Sequence, residues 1–436
     1  MDPSVPGVPA SETGAGDQGA FIIGAGGPCE GDLVPAYGYS CSVKGGPRGA
    51  GQHMHPSGLR DITPLPNSPY HDPSNAVIHA WRPSHWFTVQ YLLANYSDGR
   101  PGLNFTRGGF QGAEGFNANA EWYIEGVAEE LDASSEFMFV HQPVSDTWEL
   151  RYITNTTDSA LPSAATDSFV ATRHRVLFNL SGTLADPVVG VTIRGLVLRD
   201  TRESFLSDHG EPSGGDWALP YVAAIVMDNV ENSTVSDSLF SRLDGIAIEL
   251  LGRTRGIRII DNEFEWLGGS AVVLWSVDIT QHYYIVVSSI LRSVSHHRPN
   301  HRSACFFQNV MPYIHCRGRT SANLNEAGTW KLPSAFHPQG PDSRALDVPL
   351  DTLIEGNACH DIGLLQKQSS LLFQAIAART TLRRNVAYNL PRAAVNLNDD
   401  HGGGDIIESN VFANAVRESG DHGGVRYSSL IRSLTF

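Results

Sequence analysis

Near the end of this sequence stand three aspartates whose spacing suits acid–base chemistry: Asp399 and Asp400, then Asp421, 21–22 residues later. Two carboxyl groups suffice to cleave a glycosidic bond, at about 5–5.5 Å for retention or about 6.5–9.5 Å for inversion. His422 can assist proton transfer or bind a hydroxyl, and Arg392 and Arg417 can clamp an anionic or hydroxylated ligand. The plainer alternative is that these aspartates cap turns and that Arg417 pairs with Asp421. A second cluster, Asp208-His209-Gly210-Glu211 through Asp216-Trp217, reads as an inserted loop in which Trp217 either stacks on a sugar ring or packs inward. Asp244 and Glu249 read as corner and solvent-face residues, and His360-Asp361 as a structural turn. The run His296 to His301 lacks carboxylates, and Cys29, Cys41, Cys305, Cys316 and Cys359 show no zinc spacing, so neither metal nor cofactor is expected. Cys29 and Cys41 can pair in an oxidising compartment or remain free thiols. Gly14-Ala15-Gly16-Asp17-Gln18-Gly19 matches a dinucleotide fingerprint in letters alone, since no strand pattern precedes it.

What positions such residues is a repeat. Val235, Ser238, Phe240, Leu243, Gly245 and Ala247 superpose on Ile259, Asn262, Phe264, Leu267, Gly269 and Ala271 with a shift of 24. The frame returns at Ile354, Asn357 and Ile362, at Leu382, Asn385 and Leu390, and at Ile407, Asn410, Phe412 and Ala415. Short apolar strands broken by Asn, Gly and Asp at this period predict an all-β fold, a right-handed parallel β-helix. Each coil of such a solenoid exposes apolar edges that only its neighbour can cover. Asn262, Asn357, Asn385 and Asn410 are expected to form a ladder at one corner, in left-handed geometry. The leucine-rich and helical repeat patterns are absent. A spacing of 21–22 residues is close to one coil, so the candidate acids would project from adjacent coils.

Along the chain, residues 1–75 read as a weakly ordered Gly/Pro-rich leader, 76–165 as a Trp-rich β module, and 166–423 as the solenoid. The frame is lost over about 277–345, an irregular insertion read either as a mobile lid over the groove or as non-native sequence from a faulty gene model, and 424–436 reads as an irregular tail. A net charge of −15 argues against a nucleic-acid partner. No segment is long and apolar enough to span a membrane, and no signal-peptide pattern heads the sequence. Sequons at Asn95, Asn104, Asn155, Asn179 and Asn232 favour secretion mildly, and an extracellular monomer is the expectation.

The stretch Glu121-Trp122-Tyr123-Ile124-Glu125-Gly126-Val127 through Glu129-Glu130-Leu131-Asp132, with Glu136-Phe137, resembles a segment preceding the coils in the pectin-lyase-like superfamily. Arg392 through Gly404, with Arg417-Glu418-Ser419-Gly420-Asp421-His422-Gly423, is similar to a second block of that group, whose members include fucosidase-like β-helix glycoside hydrolases. The resemblance covers roughly 76–276 and 350–423; the sequence departs from it at Asp400, where Gly is usual, and after Gly423. It implies a polysaccharide or glycan substrate without specifying which. Hydrolysis by paired Asp residues is the leading expectation. A polysaccharide lyase acting on uronates is the second; it wants a Lys or Arg base and often Ca²⁺, and since Lys367 is the only lysine in the regular coils an Arg is the expected base. The third is a non-catalytic glycan-binding or structural β-helix.

Overall fold

The computed structural model describes residues 72–74, 76–81, 85–96, 102–109, 122–133, 136–142, 144–153, 169–207, 209–210, 218–276, 348–398, 403–420, 423–427 and 434–435, with strands at 20–23 and 56–60. Its body is a right-handed parallel β-helix of three sheets. The first sheet runs from Thr192–Arg194 through Thr234–Ser236, Arg258–Ile260, Leu353–Glu355, Thr381–Arg383 and Asp405–Glu408 to Leu434–Thr435. The second stacks Val197–Thr201, Leu239–Leu243, Glu263–Leu267, Ala358–Ile362, Val386–Tyr388 and Val411–Ala413. The third runs from Phe178–Ser181 through Ala223–Asp228, Ile246–Leu251, Val272–Trp275, Leu372–Ala375 and Val395–Asn398 to Val425–Tyr427.

Register tracks the repeat. Val235 pairs with Ile259, Ile259 with Ile354, Ile354 with Leu382, and Leu382 with Ile407. These inward side chains form one continuous core with Phe240 and Phe264, whose rings stack at 4.8 Å. Cys359 takes the next place in the phenylalanine column, fully buried, and burial pushes its thiol well above the usual range, so it acts as a small apolar filler.

The asparagine ladder is present. The Oδ1 of Asn357 accepts the backbone N–H and the Nδ2–H of Asn262 at 2.9 and 3.1 Å. Asn385 does the same for Asn357, both at 2.9 Å, and Asn410 for Asn385, both at 2.9 Å. Ser238 extends the column upward, donating its backbone N–H to Asn262 Oδ1 and offering its own Oγ to the Leu196 N–H. The left-handed residue is not the ladder Asn but the one before it: Gly195, Asp237, Asp261, Gly356, Arg384 and Ser409 all have positive φ. That conformation turns the chain so that the next residue's amide points inward, where the carboxamide of the following coil meets it. A second left-handed column runs through Asp200, Arg242, Trp266, Asp361, Asn389 and Asn414, inside or just after the second-sheet strands.

The repeat frame resumes across the long insertion. The third-sheet strand Val272–Trp275 is described as far as Ser276, and the chain is described again from Val348. Leu350 then bridges Arg255 above and Ala378 below, so the coil takes its place in the stack. Residues 277–347, where the sequence suggests a lid, lie outside the described residues. The third sheet continues through Val425–Tyr427 and the first through Leu434–Thr435, beyond Gly423, where the side-chain frame ends. Pairing here uses main-chain groups, which carry no pattern in the side chains.

Ahead of the solenoid lies a six-stranded antiparallel sheet in the order Ala20–Ile23, Pro56–Arg60, Gly102–Gly108, Thr88–Tyr96, Val77–Trp81, Trp122–Glu125. Two of its strands come from the Gly/Pro-rich leader, where composition suggests only loop. A separate hairpin, Phe137–Gln142 with Thr147–Tyr152, comes after it.

Asn357→Ala removes two acceptor contacts and leaves the buried backbone amide of Asn262 unmet, while the Asn262 side-chain amide keeps only the Val235 carbonyl, so it should lower stability by about 2–4 kcal/mol. Asn414→Ala, on an exposed rung, should change it by about 0.5 kcal/mol or less. Urea unfolding followed by circular dichroism checks the contrast, and equal effects would show that the ladder does not hold the coils.

Candidate functional site

The antiparallel sheet packs on the solenoid along the edge where the third-sheet strands begin. Gln90 Nε2 donates to the Leu365 carbonyl at 2.9 Å, and the Lys367 N–H donates to Thr88 Oγ1 at 3.0 Å. His85, stacked on Trp81 at 4.7 Å, accepts the Gly420 N–H on its carbonyl at 3.1 Å. The corner beneath is built from paired glycines. A Cβ on Gly268 would lie 2.7 Å from the carbonyl carbon of Asp244, so only glycine lets one coil settle on the next there.

At this junction lies a small pocket lined on one side by Thr88, Gln90, His209, Ser270, Gln366, Gln368 and Ser369 and otherwise by Val89, Gly109, Phe205, Ala218, Leu219 and Ile246. The lining is rich in hydroxyls and carboxamides. Several of them are already engaged within the protein: Gln90 Nε2 donates to the Leu365 carbonyl, Ser369 Oγ to the Gln366 carbonyl, and Ser270 Oγ accepts the Ser370 N–H. His209, in the loop 208–217 singled out in the sequence, and the adjoining Ala218 line the pocket, while residues 208 and 211–217 lie outside the described residues. Trp217 itself lies outside the described residues. Gln90, Ser270 and Gln366 carry no local signal in the sequence, because they meet only when the antiparallel sheet docks.

The same edge continues to Arg392, which is almost fully buried and whose carbonyl accepts the Val416 N–H at 3.0 Å. Arg392 and Arg417 are thus brought into neighbouring coils. Asp399, Asp400, Asp421 and His422 lie outside the described residues. Their flanks are described: Asn398 ends the strand Val395–Asn398, while at its start the Ala394 N–H donates to the Gly424 carbonyl. Lys367 holds Glu418 at 2.9 Å, and its side chain is only 11% exposed.

The outer face of the third sheet corrects the reading of Glu249 as a solvent-face residue. Leu219, Tyr221, Trp275 and Phe373 form a second apolar layer there, and Glu249 is fully buried within it. Its carboxylate accepts the Trp275 indole N–H at 2.7 Å, and Trp275 lies against Tyr221 at 4.9 Å. Burial, offset in part by the indole bond and reinforced by the charge of Asp228, pushes Glu249 up to about 8. On the same face Asn396 is buried with neither end of its carboxamide paired among the described residues.

No protein-family model matches the sequence, and no curated protein matches it. Among solved structures the chain is similar to one named "Glycoside hydrolase", with a TM-score of 0.51 at 11% identity. The match covers 81% of this chain and 56% of that one, so the chain spans little more than half of that protein's length. At this identity the likeness is one of fold.

Because Glu249 holds its proton in the folded chain up to about pH 8 and ordinarily releases it near 4.5, stability should fall as pH rises between those values. Glu249→Gln should flatten that fall by an amount on the order of a few kcal/mol. Urea midpoints at pH 5 and pH 8.5 measure the difference; parallel pH profiles would mean that the carboxyl group is not kept protonated.

Proposed function

We propose that the chain is a carbohydrate-active enzyme that hydrolyses glycosidic bonds of a polysaccharide or glycan. The reading rests on the resemblance of residues 392–404 and 417–423 to the fucosidase-like β-helix group, and on a small junction pocket whose polar side suits one or two hydroxyls of a glycan. The fold likeness to a protein named glycoside hydrolase supports it. In this reading Asp421 acts with Asp399 or Asp400, and Arg417, His422 and Trp217 hold the substrate, whereas Arg392, only 2% exposed, would have to be uncovered to join them. The strand between the two flanks is 4 residues long. The described flanks Asn398 and Gly424 thus stand at opposite ends of that strand, ~13 Å apart along it. Secretion is the natural compartment for such a substrate.

The lyase alternative asks for a free base. Lys367, its only lysine candidate in the coils, is tied to Glu418, which weakens that route. A non-catalytic glycan binder would keep the pocket without the acids.

The test is turnover of a neutral and acidic glycan panel by the full chain, then by Asp399→Asn, Asp400→Asn and Asp421→Asn. Asp421→Asn and one of the other two should lower kcat by about 10²–10⁴-fold. Gln368→Ala should instead raise KM, since it alters the pocket and not the acids. Unchanged turnover in all three Asp variants would remove the pair from the mechanism. Products absorbing in the ultraviolet would mark elimination, and binding without turnover would leave the glycan-binding reading.

A further inference from the structure

The outer face of the second sheet, on another side of the solenoid from the pocket, gathers three ligand-type side chains. Glu265 pairs directly with His360 on the neighbouring strand, and Glu263 precedes Glu265 by two residues, so strand alternation places all three on one face. His360 Nε2 lies 3.4 Å from Glu263 Oε1 and 4.0 Å from Glu265 Oε2. All three ligand atoms fall within 4.8 Å of one another. A tetrahedral ion with bonds of about 2.0–2.1 Å needs ligand atoms roughly 3.3 Å apart, so small side-chain rotations would complete the set.

The surroundings orient these atoms toward a common point. Ser241 Oγ donates to Glu265 Oε1 at 2.8 Å, which leaves Oε2 facing the histidine. Asp361 Oδ2 lies 2.9 Å from His360 Nδ1, so a neutral imidazole that donates from Nδ1 presents its lone pair at Nε2. Asp361 Oδ1 accepts Asn389 Nδ2–H at 3.1 Å, and Asn389 Oδ1 accepts Asn414 Nδ2–H at 2.7 Å. Tyr388 stacks on the imidazole at 4.8 Å and 9° between planes. A carboxylate behind a histidine, with that carboxylate itself hydrogen-bonded, is how proteins fix a histidine for a metal. The neighbouring guanidinium of Arg242 is engaged by Asp200 at 2.8 Å.

We propose that Glu263, Glu265 and His360 form a binding site for a divalent transition-metal ion of the Zn²⁺ type, with Asp361 as its positioning residue. One nitrogen and two carboxylate oxygens suit zinc, whereas calcium and magnesium prefer oxygen alone. Glu263 is 53% exposed, so the solvent side of the site stays open for a water as fourth ligand. This site is independent of the reaction proposed above.

Zinc chloride titrated calorimetrically into the full chain at neutral pH, after dialysis against chelator, tests it. One Zn²⁺ should bind per chain, and Mg²⁺ at the same concentration should not compete. Co²⁺ should give the visible absorbance of a four-coordinate ion. Glu263→Gln, at a half-exposed side chain that the fold does not need, should weaken binding at least tenfold. His360→Gln should abolish it, and Asp361→Asn should weaken it by about 10–100-fold. Absence of stoichiometric Zn²⁺ uptake would overturn the proposal and leave His360 as an ion-pair partner of the two glutamates. Uptake undiminished in Glu263→Gln would overturn it equally, by locating the ion elsewhere on the chain.

Discussion

The structure depends on one turn repeated from coil to coil. A left-handed residue, such as Asp261 or Gly356, sets the amide of the next residue inward, and the carboxamide one coil below meets it. The groups involved are buried, so an unmet amide there would cost about 1–3 kcal/mol. Neighbouring coils are therefore locked in register at this corner. In a strand, a slip of one residue would send every inward side chain outward. Fixing one corner fixes which side chains fill the core, as with Val235, Ile259 and Ile354, and which face away from it. The outward side chains that could do chemistry are placed by that lock.

This is also why so much of the solenoid is legible in the sequence. The ladder residues and the inward column repeat because each must meet a copy of itself. Asp261 and Asn262 are harder to tell apart, since both types favour turns, and only the backbone shows that the first bends the chain and the second bridges it. Glu249 departs from its expected setting for a different reason. Alternation correctly puts it on the outer face, but a sequence does not say whether an outer face is bare, and here Leu219 and Tyr221 cover it. Strands at Ala20–Ile23 and Pro56–Arg60 leave no signature because their partners lie tens of residues away and follow no period.

The pocket is legible only in fragments. Loop 208–217 stands out for its aromatic and acidic content, and His209 and the adjoining Ala218 do line the cavity. Thr88 and Gln90, Ser270, and Gln366 to Ser369 come from three other parts of the chain, and no spacing relates them. Their common feature is a place along one edge of the third sheet. That place exists only because the antiparallel sheet and its flanking residues bind the Leu365 carbonyl and the Gly420 amide there. A solenoid is regular along its axis, so departures from regularity collect where another element docks.

Because the lock constrains only the interior, the two outer faces are free to diverge. The third-sheet face has acquired an apolar cover, and a carboxyl group caught beneath it is driven toward its neutral form. The second-sheet face has stayed open, and two carboxylates there stand beside a histidine on the adjacent strand. Both arise from the same strand spacing of about 4.8 Å, which sets outward side chains within reach of their neighbours on the next coil. What such a row does is then decided by its cover. Under an apolar layer, a carboxylate must take up a proton or lean on a donor such as an indole, and Glu249 does both. In the open, the same spacing suits an ion that several side chains can share.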